Sequence, residues 1–274
     1  MKFLKKIGIM QGRLSPQYLN LIQCFPEKYW HKEFRIANKL GLKLIEWTLD
    51  YKKLFENPLF DKNKISKIRY LKKKYNIGIK SLTADCLMEK PFWKLKDKKF
   101  LEMFIKIISA CSNLGIKYLI VPLVDNGSLS KKKFEKNLIK ILKDNNEFLI
   151  KKKVIILFES DLNPAKLKIL IKKFPRGNFG INYDTGNSAS LGYDIEKEFK
   201  AYGKYIKNIH IKDRLYKGKT VRLGSGNADF EKLKKLLIKI NYNNNIILQT
   251  ARGKKNKDIE EIKINLNFLK KKMI

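Results

Sequence analysis

Histidine is nearly absent from this 274-residue chain, which has only His31 and His210. So few imidazoles exclude any metal cluster that needs several of them. Cysteine is scarce too: Cys24, Cys86 and Cys111 are odd in number and widely spaced. That excludes a disulfide framework and a CxxC zinc site, and it fits a reducing, cytoplasmic setting. No apolar stretch approaches the roughly 20 residues needed to cross a bilayer. The start, MKFLKKIGIMQGR, is basic, but its apolar segment is too short for a signal-peptide core. No GxGxxG follows the first apolar run and no GxxxxGKS/T occurs, so no dinucleotide crevice or P-loop is expected. Arginine is the last scarcity: of 61 basic residues only seven are arginine.

What fills the gap is lysine. With 26 acidic residues the formal net charge is +35. Lysine, isoleucine and asparagine are abundant together, the mark of an AT-rich genome. The lysines spread over every helical segment, whereas a phosphate-backbone footprint needs a stripe. Nucleic acid is therefore not the expected partner, although the field should attract anions at long range.

Strand-like and helix-like segments alternate to the end. Candidate strands are 6–10, 43–47, 77–83, 117–122, 154–159, 178–183, 206–212 and 245–250. Each reads as a short apolar run rather than an in/out alternation, as strands covered on both faces should. Between them, Phe100, Phe104, Ile107, Cys111 and Leu114 recur at helical spacing, as do Ile259, Ile262, Leu266, Leu269 and Met273. Gly41 and Gly115 sit where helices stop, and Asn163-Pro164 reads as N-cap then first helical residue. The expectation is an α/β chain whose residues 1–274 form a single (β/α)8 TIM barrel. An open doubly wound sheet is the alternative, and it lacks its nucleotide signature.

In such a barrel, function sits where strands end. Strand five ends at Glu159, strand six ends at Asp184, strand seven carries His210 and strand eight carries Gln249. A lone strand histidine is usually packed in the core, and a lone terminal glutamate often caps a helix or meets a lysine. Four ligand-type side chains on neighbouring strands are a different matter. Buried carboxylates beside an imidazole are costly unless something compensates their charge, and a divalent cation does so. Glu159, Asp184, His210 and Gln249 are the expected metal ligands.

Six segments resemble the xylose-isomerase-like TIM barrels of the sugar phosphate isomerase/epimerase type. They are IGIMQGRLSP (7–16), GLKLIEWTLD (41–50), FESD (158–161), NYDTGNS (182–188), HIKDR (210–214) and LGSGNADF (223–230). The group includes ketose 3-epimerases, inosose dehydratases and apurinic-site endonucleases. The resemblance implies a metal held by Glu, Asp, His and Glu from strands five to eight. Here Gln249 stands in the fourth place. A neutral amide can still coordinate but cannot shuttle a proton, and an oxygen-rich shell of lower charge favours Mn²⁺ or Mg²⁺, with Zn²⁺ or Co²⁺ also compatible. Proton abstraction next to a carbonyl would use Glu159 as base and Lys212, Asp213 or Asp85 as acid. The endonuclease's three-zinc cluster needs more histidines than this chain has, because His31 groups with Arg35 and Asn38 on a solvated helix face.

The arginines bear on the substrate. Arg13, Arg214, Arg222 and Arg252 follow strands one, seven and eight, so an anionic sugar gripped by Arg13, Arg214 and Arg252 is one expectation, and surface scatter is the other. Glu46 ends strand two and could meet sugar hydroxyls or Arg13. Asn187 could reach a hydroxyl or cap a turn. Trp47 and Pro91-Phe92-Trp93 could wall the pocket or simply pack. Cys86 has no histidine to activate it. The sequence points to a metal-dependent isomerase, epimerase or related lyase of a sugar, sugar phosphate or polyol. A metal-dependent hydrolase of an anionic molecule and a silent sugar-binding barrel are the alternatives, and a homo-oligomer is left open.

Overall fold

The computed structural model describes residues 6–18, 21–254 and 257–273. The first five residues of the basic start thus lie outside the description. Eight parallel strands close into a barrel: β1 (Ile7–Met10), β2 (Leu44–Thr48), β3 (Ser81–Thr83), β4 (Tyr118–Leu123), β5 (Ile155–Ser160), β6 (Phe179–Asp184), β7 (Ile206–Ile211) and β8 (Asn245–Leu248). β1 closes the ring by pairing with both β2 and β8. Every expected strand lies within a few residues of its observed one. The largest trim is at β3, where 77–80 lie outside the strand and Gly78 keeps one bridge to Leu44. An extra antiparallel ribbon, Asp213–Arg214 with Thr220–Val221, rises from the end of β7.

The helices cover the barrel as their spacing predicts. Asp97 caps the helix Lys98–Leu114, and Gly115 ends it in the left-handed region. Phe104, Ile107, Cys111 and Leu114 are buried against the barrel. In the last helix, Asp258–Met273, Ile262, Leu266, Leu269 and Met273 are buried, but Ile259 is turned to solvent. Asn163 accepts the Lys166 amide, with Pro164 as the first helical residue. His31 is part-exposed and stands edge-on to Trp30. None of the helices among the described residues is long and apolar enough to cross a membrane.

The strands do alternate, contrary to the sequence reading, and the polar side faces inward. On β6, Phe179 stacks outward on Phe174 and Tyr183 stands edge-on to Phe199, while Asn182 and Asp184 alternate with them. On β7, Asn208 and His210 point into the barrel, where Asn208 reaches Asn182 and Glu46. The interior is therefore layered. Small apolar clusters (Met10, Leu44, Ile247 and Tyr118, Ile120, Leu157) fill part of it, and a hydrogen-bonded polar layer lies beneath the mouth. A single apolar core between strands and helices supplies most of the buried hydrocarbon.

Candidate active site

The C-terminal ends of the strands open into a cavity of about 860 Å³. The site is built up from the layer below it. Glu46 on β2 is fully buried; it accepts Thr83 Oγ1 at 2.8 Å, Asn208 Nδ2 at 2.9 Å and His210 Nε2 at 2.6 Å. By taking the Nε2 proton it turns His210 Nδ1 toward the mouth, an orientation that a ligating imidazole needs. Nδ1 lies 3.0 Å from Glu159 Oε2 and 4.0 Å from Asp184 Oδ2. Asp184 and His210 are direct cross-strand partners in the β6–β7 register.

Asp184 divides its two oxygens. Oδ1 caps the helix Thr185–Leu191 through the amides of Gly186 and Asn187, both at 2.9 Å. Oδ2 is buried and its close partner is the Lys212 ammonium, with Nζ at 2.7 Å. Lys212 Nζ also donates to Gln249 Oε1 at 3.2 Å, and Gln249 Nε2 donates to Gln23 Oε1 at 2.9 Å. A side chain at Gly186 could not coexist with this lysine, because a Cβ there would come within 2.7 Å of its stem. Glu159 has one amide donor on each oxygen: Oε1 accepts Asn187 Nδ2 at 2.8 Å and Oε2 accepts Asn182 Nδ2 at 2.7 Å, which leaves further lone pairs on both.

The electrostatics follow from this geometry. Burial opposes charging His210, but Glu46 and Glu159 outweigh it and raise the ring to about 10. Burial likewise pushes Glu159 up, yet His210 and Lys212 win and hold it down at about 2. Asp184 is raised, chiefly by burial, against the pull of Lys212. Asp85, just past β3, is raised to about 7 by burial and by Asp50, while Gln23 Nε2 bonds its Oδ2 at 2.6 Å.

The donor set fits a divalent cation. One atom each from Glu159, Asp184 and His210 lies within 4.8 Å of the others, and the only cation beside Asp184 Oδ2 among the described residues, besides His210, is Lys212 Nζ. Gln249 lines the same cavity, tied to Asp184 through Lys212.

The other expected residues divide. Asp85, Asn187, Lys212 and Arg214 line the cavity. Arg214 spends its guanidinium on Gly218 O and on Asn187 Oδ1. Arg13 and Arg252 do not reach the cavity. Arg13 bonds the carbonyls of Thr250 and Ile22, and Arg252 bonds those of Gly12 and Ser15, so both brace the loop after β1. The arginine count misled because lysine cannot fork between two carbonyls of a tight loop any better than it can grip a phosphate. Arg222 pairs with Glu261. Glu46 is fully buried below the cavity and does not meet Arg13; its partners are Thr83, Asn208 and His210. Asp213 accepts the amides of Gly224, Gly226 and Ala228, which anchors the GSGN loop and leaves no proton-transfer role. Trp47 and Trp93 are fully buried packing. Cys86 is buried, and burial pushes its thiol up. Sequence reasoning missed Glu33, Asn182 and Asn208. Glu33 holds Gly12 N, Leu14 N and Ser15 Oγ; its position beside the apolar stripe of Trp30, Phe34 and Ala37 was the available signal.

A model of the xylose isomerase-like TIM barrel family matches residues 34–272. Over 142 residues the chain is 34% identical to a probable endonuclease 4 from Thermosipho africanus (strain TCF52B), a match covering 48% of this chain and 49% of that protein. The match thus spans about half the length of that curated relative. Among solved structures, an L-ribulose 3-epimerase superposes with a TM-score of 0.76 at 15% identity, over 98% of this chain and 94% of that one. The IOLI protein, with a bound zinc atom, gives 0.75 at 19% identity over 98% of each chain. At these identities the structural likeness is one of fold. Taken with the closed barrel, the family match over 34–272 places the chain in the xylose isomerase-like TIM barrel family.

Proposed function

We propose that the protein is a metal-dependent isomerase or epimerase of a sugar or related polyol. The observation that carries this reading is the convergence of Glu159, Asp184 and His210, whose ligand-type atoms lie within 4.8 Å of one another. A divalent cation held there supplies Lewis-acid polarisation of a substrate carbonyl. The chain's own groups supply the proton chemistry. Glu159 has both oxygens engaged and serves as a ligand. Asp85 takes its one side-chain hydrogen bond among the described residues on Oδ2, lines the same cavity and sits near 7, the range a proton-transfer group needs. As a base it takes the proton from the carbon next to the carbonyl. The C–H electron pair moves toward the carbonyl as its oxygen takes up the charge, and Asp85 returns the proton to the adjacent carbon, which completes a one-base isomerisation; an epimerisation needs a second proton donor on the other face, for which Lys212 is the candidate. Lys212 Nζ, donor-only as an ammonium, steadies the oxygen where charge develops. Asn187, fixed between Glu159 and Arg214, offers its remaining amide capacity to a hydroxyl.

The epimerase and IOLI folds support the reading, and so does the composition of the cavity wall. Eight carboxylates and four basic side chains line it, so a phosphodiester backbone is a poor fit. Mn²⁺ titration of the purified chain, followed by mass spectrometry of ketoses incubated in D₂O, tests the proposal. The expected result is saturable Mn²⁺ binding that is lost in Asp184→Asn, with Mn²⁺-dependent exchange of one carbon-bound hydrogen. A ketose panel that takes up no deuterium in the metal-loaded protein would overturn it.

A further inference from the structure

We infer that the substrate carries a cationic amine, seated against a wall of aspartates on the β2–β5 side of the mouth. This deepens the sugar-isomerase reading and rests on it. Four successive strands each deliver an aspartate just past their C-terminal ends: Asp50 after β2, Asp85 after β3, Asp125 after β4 and Asp161 after β5. All four line the cavity that Glu159 of the Glu159–Asp184–His210 group also lines. None has an ion-pair partner within 4 Å among the described residues. Their hydrogen bonds come from neutral donors: Phe25 N to Asp50 at 2.6 Å and Gln23 Nε2 to Asp85 at 2.6 Å.

The isolation of these carboxylates is informative because counter-charges are plentiful. The chain has 61 basic residues to 26 acidic ones, and its surface lysines pair with Glu135, Glu231 and Asp97 elsewhere. At the mouth the ratio reverses, with eight carboxylates to four basic groups. Three of the four are already committed: Lys53 to Glu27 and Glu56, Lys212 to Asp184, and Arg214 to Gly218 and Asn187. Burial pushes Asp50 and Asp85 up, and neighbouring carboxylates add to it in both cases. An anionic sugar would be repelled here, and a neutral one would leave the mutual repulsion in place. An ammonium on the substrate relieves it, while the hydroxyls of the same molecule reach the metal-ligand side. At about 860 Å³ the cavity has room for both ends.

The test is calorimetry on the full chain loaded with Mn²⁺, using three matched probes: 1-amino-1-deoxy-D-fructose, D-fructose and D-fructose 6-phosphate. The amino sugar should bind about tenfold tighter than fructose and the phosphate weakest, with the preference eroding as ionic strength rises. Asp50→Asn and Asp161→Asn should cut the amine's advantage while leaving Mn²⁺ and fructose binding in place. Two results would overturn the inference: an amino sugar no tighter than fructose, or a second Mn²⁺ equivalent abolished by Asp161→Asn, which would assign the wall to a metal. The salt series on the unaltered chain decides the matter even if the variants fold poorly. Equal affinities with Mn²⁺ bound and deuterium exchange intact would sink only the amine, whereas absence of Mn²⁺ binding would sink the site reading itself.

Discussion

Two halves of one rim handle negative charge differently. On the β6–β8 side, Asp184 faces Lys212, Asp213 takes three backbone amides and Arg214 is tied to Gly218 and Asn187. On the β2–β5 side, Asp50, Asp85, Asp125 and Asp161 line the same cavity with no ion-pair partner among the described residues. Glu159 on β5 stands at the seam: one oxygen lies against His210 and both accept asparagine amides. The difference separates two jobs. The compensated half is preorganised: Glu46 and Asn182 hold His210 and Glu159 from below, and Lys212 and Asn187 hold Asp184 and Glu159 at the mouth. The uncompensated half holds unpaid electrostatic cost, which a burial site keeps only where a ligand or a proton relieves it.

The sharpest way to break this division is at its centre. His210→Ala removes the positive ring between Glu46 and Glu159 and leaves two buried carboxylates facing an empty space. Stripping one partner from a buried ion pair costs about 3–5 kcal/mol, so urea unfolding should show a loss of that size, together with loss of Mn²⁺ binding. A loss confined to the surface-mutation range would mean that Glu46 and Glu159 find other partners.

The second test separates chemistry from metal holding. Asp85→Asn should lower kcat by about 10²–10⁴ while Mn²⁺ affinity holds. With Asp85 acting as a base, activity should rise as pH passes through about 7 and the carboxyl ionises. The stability effect has the opposite sign. The folded value lies above the ordinary 3.8, so the native state holds a proton that the unfolded chain has released between about 4 and 7. Stability contributed by this group is therefore present below about 4 and lost as pH rises through about 7. At pH above that window, thermal melting should find Asp85→Asn at least as stable as the unaltered chain.

The smallest effect concerns the arginines. Arg252→Ala frees the carbonyls of Gly12 and Ser15, and should cost about 1–3 kcal/mol of stability. It should change KM for a phosphorylated and a neutral sugar by the same factor, as steady-state kinetics can check. A selective rise for the phosphorylated sugar would return Arg252 to the substrate and weaken the contrast between the two halves.

The clustering of Glu159, Asp184 and His210 was legible because each ends or nearly ends an apolar strand, and adjacent strands in a closed parallel barrel bring their ends together. Gln249 was legible in place, but its link to Asp184 through Lys212 depends on a lysine stem packed over Gly186. The aspartate wall had a signal that went unused: an aspartate just beyond four strands in a row, in TLD, TAD, LVD and ESD. Only Asp85 was singled out, because a carboxylate in a βα loop ordinarily caps the next helix, and spacing cannot distinguish that role from an unpaired one.

By itself the sequence determined the barrel, since hydrophobic runs of strand length, helical periodicity and capping residues are local signals that all favour one alternation. It also determined which four strands carry ligand-type side chains. Tertiary structure alone decided which way those side chains face and what compensates them. Glu46 meets His210 across 164 positions of chain, and Arg13 meets Thr250 across 237. Whether a buried charge serves as ligand, brace or base depends on its partners in space, and barrel closure brings together residues that no local pattern connects.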